Sequence, residues 1–266
     1  MYETNYRRAA STDEAVRMMG AAGDGKFLAG GQTLLPTMKQ RLAQPSELID
    51  IGRISAMQGI AIDGRKVTIG AGTRHADVAA SRELAAVCPG IVALAGMIGD
   101  PAVRHMGTLG GSIANNDPAA DYPAAMLALD AQIMTTRRTL AAGDFFVGMF
   151  ETALEEDEIV TAVSFEAPEK CAYEKFRNPA SRYAMAGVFV VRRADGSVRV
   201  GVTGAGSSGV FRHAGMEQAL SESWRPESVA SVAVDEGMML SDIHGSGAYR
   251  ANLVRAMAKR AVAKAM

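Results

Sequence analysis

The run Thr108-Leu109-Gly110-Gly111-Ser112-Ile113-Ala114-Asn115-Asn116-Asp117-Pro118-Ala119-Ala120-Asp121 constrains this chain more than any other. Two adjacent glycines follow an apolar position. Small and amide residues, a proline turn and an acid come after them. Without a Cβ, a Gly-Gly pair lets the backbone approach a ligand closely and allows positive φ. Bare N–H groups at such a turn can converge on an anion such as a phosphate. A second pair lies far upstream, in Phe27-Leu28-Ala29-Gly30-Gly31-Gln32-Thr33-Leu34-Leu35, again after an apolar run and with a hydroxyl two residues on. Either pair alone reads as ordinary turn punctuation. Together they read as two jaws on one pyrophosphate.

The rest of the composition narrows the function class. With 266 residues, 48% of them hydrophobic and 21% charged, the chain has enough apolar residues for one large domain or two. A formal net charge of −1 gives no electrostatic reason to expect nucleic acid or an anionic membrane as partner. Cys88 and Cys171 are far apart in sequence and belong to no CxxC motif. They cannot by themselves hold an iron–sulfur cluster or a structural zinc, and they read as reduced thiols of a cytosolic protein. The first residues contain no apolar signal-peptide region, and no apolar run is long enough to span a bilayer.

Along the chain, Ser11 to Ala22 reads as a helix with Ser11 as N-cap, and 26–29 as a short strand running into the first glycine pair. A helix over 34–42 and a strand over 47–51 complete a strand–loop–helix–strand unit. Asp63-Gly64 marks a hairpin. Helical character follows from Thr73 to Cys88 and from Ile91 to Ile98, and Gly99-Asp100-Pro101 reads as a turn into the central glycine loop. A helix over 122–129 and strands over 131–136 and 159–165 come next. Glu155-Glu156-Asp157-Glu158 reads as a solvated acidic turn. The rhythm changes near Pro168. Runs at 172–176, 185–193 and 198–205 predict a three-stranded antiparallel sheet, followed by helices at 214–221, 226–233 and 246–265. This is an α+β pattern. The division expected is 1–168, with subdomains of about 1–53 and 54–168, and then 169–266.

Other motifs are absent or weak. Neither glycine pair matches a P-loop or a complete GxGxxG fingerprint, and no GxSxG nucleophile elbow occurs. His75, His105, His213 and His244 show no metal-ligand spacing and read as surface or packing histidines. Most of the 16 methionines read as core filling. Asp121 has two readings, accepting from a ribose hydroxyl or N-capping the helix at Tyr122. Lys175 lies on a predicted strand, and residue chemistry alone does not single it out.

Taken together, three segments resemble a known family. Ala29-Gly30-Gly31-Gln32-Thr33-Leu34-Leu35-Pro36, with Lys39 and Arg41-Leu42, is similar to the first FAD-binding segment of the medium subunit of aerobic carbon monoxide dehydrogenases, within the xanthine dehydrogenase and molybdenum hydroxylase group. Thr108 to Asn115 with Asp117-Pro118-Ala119-Ala120-Asp121 resembles the second. Lys175-Phe176-Arg177-Asn178-Pro179-Ala180-Ser181-Arg182-Tyr183-Ala184 resembles the opening of its C-terminal domain, and the likeness runs essentially end to end.

The resemblance implies a vanillyl-alcohol-oxidase (PCMH)-type FAD-binding domain of two α/β subdomains, plus a C-terminal α+β domain, with FAD held non-covalently. Lys26, Leu28, Ala29, Gly30, Gly31, Gln32, Thr33 and Leu34 would wrap the pyrophosphate. Thr108, Leu109, Gly110, Gly111 and Ser112 would supply opposing N–H groups, and Asn115 an amide. Asp121 would hold a ribose or ribityl hydroxyl. Ile98 and Val160 match cofactor-lining positions, Lys175 a lysine near the flavin, and Tyr183 a residue beside the isoalloxazine. The resemblance implies no substrate-hydroxylating residue and no metal in this chain. It implies an electron-transfer role between a small two-iron two-sulfur subunit and an external acceptor. A large molybdenum-cofactor subunit would complete a heterotrimer that dimerises in the cytoplasm, at the inner face of the membrane. The rival expectations are a free-standing FAD oxidoreductase of the same fold with its own small substrate, and a scaffold that has lost FAD.

Overall fold

A computed structural model describes residues 1–266. Strand β1 (Asn5–Arg8) leads into helix α1 (Thr12–Ala21). Ser11 caps α1 by accepting from the Glu14 N–H, and the Glu14 carboxylate accepts in turn from the Ala10 N–H at 2.7 Å. Strand β2 (Gly25–Leu28), helix α2 (Leu34–Lys39) and strand β3 (Glu47–Asp50) follow. β3 lies between β1 and β2 and is parallel to both. Parallel strands need crossovers, and α1 provides the one from β1 to β2 and α2 the one from β2 to its neighbour β3.

Strands β4 (Ile60–Asp63) and β5 (Lys66–Gly70) form the expected hairpin, with Gly64 at φ +57. A helical layer follows: α3 (His75–Ala80), α4 (Arg82–Val87), α5 (Pro89–Gly96), α6 (Pro101–Met106), α7 (Leu109–Asn115) and α8 (Tyr122–Ala128). Two of these differ from the sequence reading. The turn expected at Gly99-Asp100-Pro101 starts α6, because proline fits a first helical turn and the Asp100 carboxylate accepts from the Val103 N–H at 2.9 Å. The central glycine loop is the first turn of α7. The Thr108 hydroxyl caps it by accepting from the Gly111 N–H at 3.1 Å, and Asn116 ends it in the left-handed conformation.

Next come β6 (Gln132–Thr135), β7 (Thr139–Ala141), α9 (Ala142–Phe145), β8 (Phe146–Gly148), β9 (Glu151–Thr152) and β10 (Val160–Glu166). β10 sits at the centre of a five-stranded sheet ordered β4-β5-β10-β6-β7, antiparallel to both neighbours. The C-terminal part holds β11 (Lys170–Arg177), β12 (Ala184–Arg192), β13 (Val198–Thr203) and β14 (Phe211–Arg212). Its sheet therefore has four strands in sequence order where three were expected, the two-residue β14 being too short to show a periodicity. Helices α10 (Ala214–Glu222) and α11 (Gly247–Lys264) complete the chain. The helix expected over 226–233 is a single 3-10 turn, Pro226–Val229, in a Ser- and Val-rich stretch of low helix propensity.

Two apolar cores result. One of 37 residues fills the space between the five-stranded sheet and the helical layer, and one of 21 lies between the C-terminal sheet and α11. β12 divides its alternate side chains between them. Phe189 and Val191 join the first core, and Val188 and Val190 the second. A strand with apolar material on both faces reads as the unbroken run Val188-Phe189-Val190-Val191. No helix is long and apolar enough to cross a membrane.

Candidate functional site

The two glycine segments border one cleft of about 990 Å³. Its first wall is the turn after β2. None of the N–H groups of Ala29, Gly30, Gly31, Gln32 or Thr33 donates to a backbone carbonyl. Half-buried or exposed at the cleft, these five successive donors are open to water or to an acceptor from outside. Gly31 holds φ +69, a value that favours glycine. Gly30 is glycine for a different reason: a Cβ there would lie 2.3 Å from the Met106 carbonyl oxygen at the end of α6. Lys26 to Leu34 all line the cleft, with Lys26, Gln32 and Thr33 exposed.

The second wall is the start of α7, and here the donor expectation needs correcting. The Leu109 N–H donates to Thr73 O at 3.1 Å and that of Gly110 to Ala71 O at 2.8 Å. The Gly111 N–H donates to the Thr108 hydroxyl, and that of Ser112 to Thr108 O at 3.1 Å. None of these four is free, because the first turn of α7 leans on the chain leaving β5, and of the donors expected from Thr108 to Ser112 the Thr108 N–H alone is unpaired. A Cβ on Gly110 would lie 2.5 Å from the Ala71 Cβ. What this wall offers is the bare surface of Gly110 and Gly111 with Thr108, Ser112 and Asn115 beside it. Leu109 is fully buried and does not reach the cleft.

Asp121 lies at one end of the cleft and is buried. Its side chain does not cap α8. It accepts from the Tyr173 hydroxyl and from Lys175 Nζ, which is 2.9 Å away. Burial pushes the Asp121 carboxyl up, against the pull of Lys175. Lys175 stands behind Asp121 with 1% of its side chain exposed and does not border the cleft. Ile98 and Val160 both line it. Tyr183 borders it with 57% of its surface exposed, on a turn held by Asn178 Oδ1, which accepts from the Ala180 and Ser181 N–H groups.

The acidic turn is not simply solvated. Glu155, Glu156 and Glu158 border the cleft, and the Glu158 side chain is fully buried. Burial by itself would raise its carboxyl. Arg138 at 2.9 Å, the Thr135 hydroxyl at 2.6 Å and the Glu155 N–H at 3.1 Å outweigh that and hold it down to about 2. His75 is a packing histidine, buried against Tyr122 on the cleft wall. A Cβ on Gly107 would lie 2.6 Å from its Nε2, so that glycine makes room for the ring. Its Nδ1 has no partner, and burial, with Arg104 nearby, lowers its pKa to about 4. No periodicity or metal-type spacing marks His75 in the sequence. Only its contact with a glycine over thirty positions on does. No three His, Cys, Asp or Glu side chains converge as a metal would require.

A family described as "FAD binding domain in molybdopterin dehydrogenase" matches residues 2–168. The carbon monoxide dehydrogenase medium chain of Hydrogenophaga pseudoflava is 36% identical over 274 residues, spanning 97% of this chain and 95% of that one. The nicotine 6-hydroxylase medium subunit of Paenarthrobacter nicotinovorans is 36% identical over 98% of this chain and 96% of its own. A chain of the cyanide-inactivated Cu,Mo-CO dehydrogenase crystal structure superposes with a TM-score of 0.90 at 33% identity, covering 98% of this chain and 97% of that one. Full-length agreement of sequence and of backbone, around a cleft built on two glycine segments, leads to one assignment: the chain belongs to the family of FAD-binding medium subunits of molybdenum hydroxylases, oxidoreductases whose flavin cofactor is FAD.

Proposed function

We propose that this chain is the electron-transferring flavoprotein subunit of a three-subunit molybdenum hydroxylase. A small subunit with a two-iron two-sulfur centre delivers electrons to it, and a quinone, a carrier, NAD or oxygen takes them away. Hydroxylation belongs to a large molybdenum-cofactor subunit. Two such heterotrimers pair, in the cytoplasm and at the inner face of the membrane.

The observation that carries this reading is the run of unpaired N–H groups from Ala29 to Thr33, facing a wall of bare glycine. Such a cradle fits a pyrophosphate, whose charge backbone donors can offset without a metal. When bound, FAD supplies the redox chemistry, receiving electrons singly and passing them on. The chain's residues hold and orient it. Gly30, Gly31, Gln32 and Thr33 donate to the phosphates, with Lys26, Leu28, Ala29 and Leu34 flanking them. Gly110 and Gly111 allow close approach, while Thr108, Ser112 and Asn115 offer side-chain partners. Asp121 accepts from a ribose or ribityl hydroxyl, and Lys175 acts through Asp121 by keeping it charged. Ile98 and Val160 cover the cofactor, Tyr183 lies beside the ring system, and Leu109 serves packing only. Residues 1–168, in subdomains of about 1–53 and 54–168, form the cofactor domain. Residues 169–266 form a second domain that closes the cleft through 180–183, a division supported by the separate 21-residue core.

The test is a visible absorption spectrum of the gently purified native protein, with a gel of whatever accompanies it. Flavin bands with iron–sulfur absorbance and two further chains are expected. Flavin bands on a chain that never copurifies with others would favour a free-standing oxidoreductase. A protein that stays colourless after FAD is added would overturn the reading.

A further inference from the structure

Two buried thiols lie outside the cleft. Cys88 follows the end of α4, and Cys171 lies on β11. Both are free, and their sulfurs are 3.6 Å apart although 83 positions separate them in sequence. The pair is not symmetric. The Gly90 N–H, in the first turn of α5, donates to Cys171 Sγ at 3.4 Å. Cys171 thus accepts from a backbone donor that Cys88 lacks, and between the two sulfurs either thiol can donate. The contact with Cys88 and the Gly90 N–H hold the Cys171 thiol below its ordinary value, while the same contact and burial push Cys88 up. Thiolate character of this kind makes a cysteine nucleophilic.

Access differs in the same sense. Cys171 borders a second hollow of about 540 Å³, and Cys88 does not. Arg65, Lys170, Lys264 and Glu169 also border it, Arg65 paired with Glu166, Lys264 with Glu174 and Glu169 with Arg192, so its rim is polar. A small oxidant entering that hollow meets Cys171 before Cys88. Bringing the sulfurs from 3.6 Å to the ~2.05 Å of a disulfide needs a side-chain shift of about 1.5 Å.

We infer that Cys171 is a hydroperoxide-reactive thiol and Cys88 its resolving partner, so that oxidation ties the α4–α5 corner to the first strand of the C-terminal sheet. The Cys171 thiolate attacks one peroxide oxygen. The O–O bond breaks, and the departing hydroxide or alkoxide takes up a proton, leaving a sulfenic acid on Cys171. Cys88 gives up its proton and attacks that sulfur. The S–S bond forms as the S–O bond breaks, and the oxygen leaves as water. Two thiols lose two electrons in all, and one peroxide is reduced to water plus an alcohol or a second water. The site is independent of the flavin cleft.

The experiment treats the purified native protein, with any accompanying subunits, with hydrogen peroxide. The reaction is quenched in denaturant containing an alkylating reagent, and peptides are mapped by mass. Expected are a loss of two hydrogens and a peptide pair joined through Cys88 and Cys171 that dithiothreitol separates. In Cys88→Ser, dimedone should trap Cys171 about tenfold faster than it traps Cys88 in Cys171→Ser. Flavin content, read from the visible spectrum, should not change. Both wild-type thiols remaining fully alkylatable would overturn the inference, as would preferential trapping of Cys88. The wild-type map decides the matter even if a variant fails to fold.

Discussion

The two glycine segments look alike in sequence and act differently in structure. Ala29 to Thr33 is an open turn whose donors are unspent, with one glycine at positive φ. Leu109 to Ser112 is a capped helix start whose donors are all used within the protein. The segments also touch, because Gly30 rests on the Met106–Gly107 backbone just before α7. A Gly-Gly pair can thus serve as a source of donors or as a flat surface. Which role it takes depends on whether a neighbouring strand end claims the N–H groups. Here the carbonyls of Ala71 and Thr73 do so for the second segment, and nothing does so for the first.

The largest effects should come where a glycine meets backbone. Gly30→Ala sets a methyl 2.3 Å from a carbonyl oxygen, and Gly110→Ala sets one 2.5 Å from the Ala71 Cβ and 2.9 Å from its carbonyl oxygen. Neither neighbour is a flexible side chain. Each variant should lose about 3 kcal/mol or more of stability, read as a fall in denaturant midpoint before any flavin is added. If both unfold like wild type, the close approach of the two segments is wrong.

Gly111→Val separates the second wall's surface role from its packing role. A Cβ there meets the Thr108 hydroxyl at 3.0 Å and is otherwise 3.8 Å from Ala29. Flavin retained after gel filtration should fall about tenfold, equivalent to ~1.4 kcal/mol, while the apoprotein stays folded. Normal flavin occupancy would remove α7 from the proposed cofactor wall. The two threonines sharpen the contrast. Thr108 caps α7, whereas Thr33 makes no side-chain cap on α2. Thr108→Ala should cost ~1 kcal/mol of apoprotein stability. Thr33→Ala should leave stability unchanged and weaken flavin retention alone.

That contrast also marks what sequence could disclose. Local chemistry was legible: the Ser11 cap, the Asp63-Gly64 hairpin, the strand runs at 47–51 and 159–165, and two glycine segments at one cleft. Pro101 and Gly110-Gly111 resemble helix breakers, and only their caps, Asp100 and Thr108, turn them into helix starts. The spent donors of Leu109 and Gly110 depend on carbonyls more than thirty residues away. So do the burial of Lys175 behind Asp121 and the meeting of Cys88 with Cys171. Such adjacencies arise from packing of distant elements and leave no local pattern.

The smallest effect expected is the change in stability from pH 7 to 6, to which His75 beside the second segment and the half-buried His213 of the C-terminal part both contribute, each lowered by burial. His75 rests against Gly107, directly before α7, and burial lowers its pKa from 6.5 to about 4. A folded-state value below the unfolded one means that protons favour the unfolded chain. The contribution is complete above the unfolded pKa of 6.5 and is lost as pH falls towards 4. Between pH 7 and 6 the loss should be ~0.7 kcal/mol, as the charged fraction of unfolded histidine rises from about a quarter to about three quarters. Glu158 acts in a lower window. Its carboxyl is held at about 2 against 4.5 when free, so its contribution holds above 4.5 and fades below that. Urea titrations across pH 7 to 3 should therefore show two successive declines. His75→Gln should reduce the upper one, leaving the share of His213, and spare the lower, and Glu158→Gln should reduce the lower and spare the upper. If His75→Gln leaves the upper decline intact, the ring is not buried neutral against Gly107, and the packing that gives the second segment its flat wall must differ from that described.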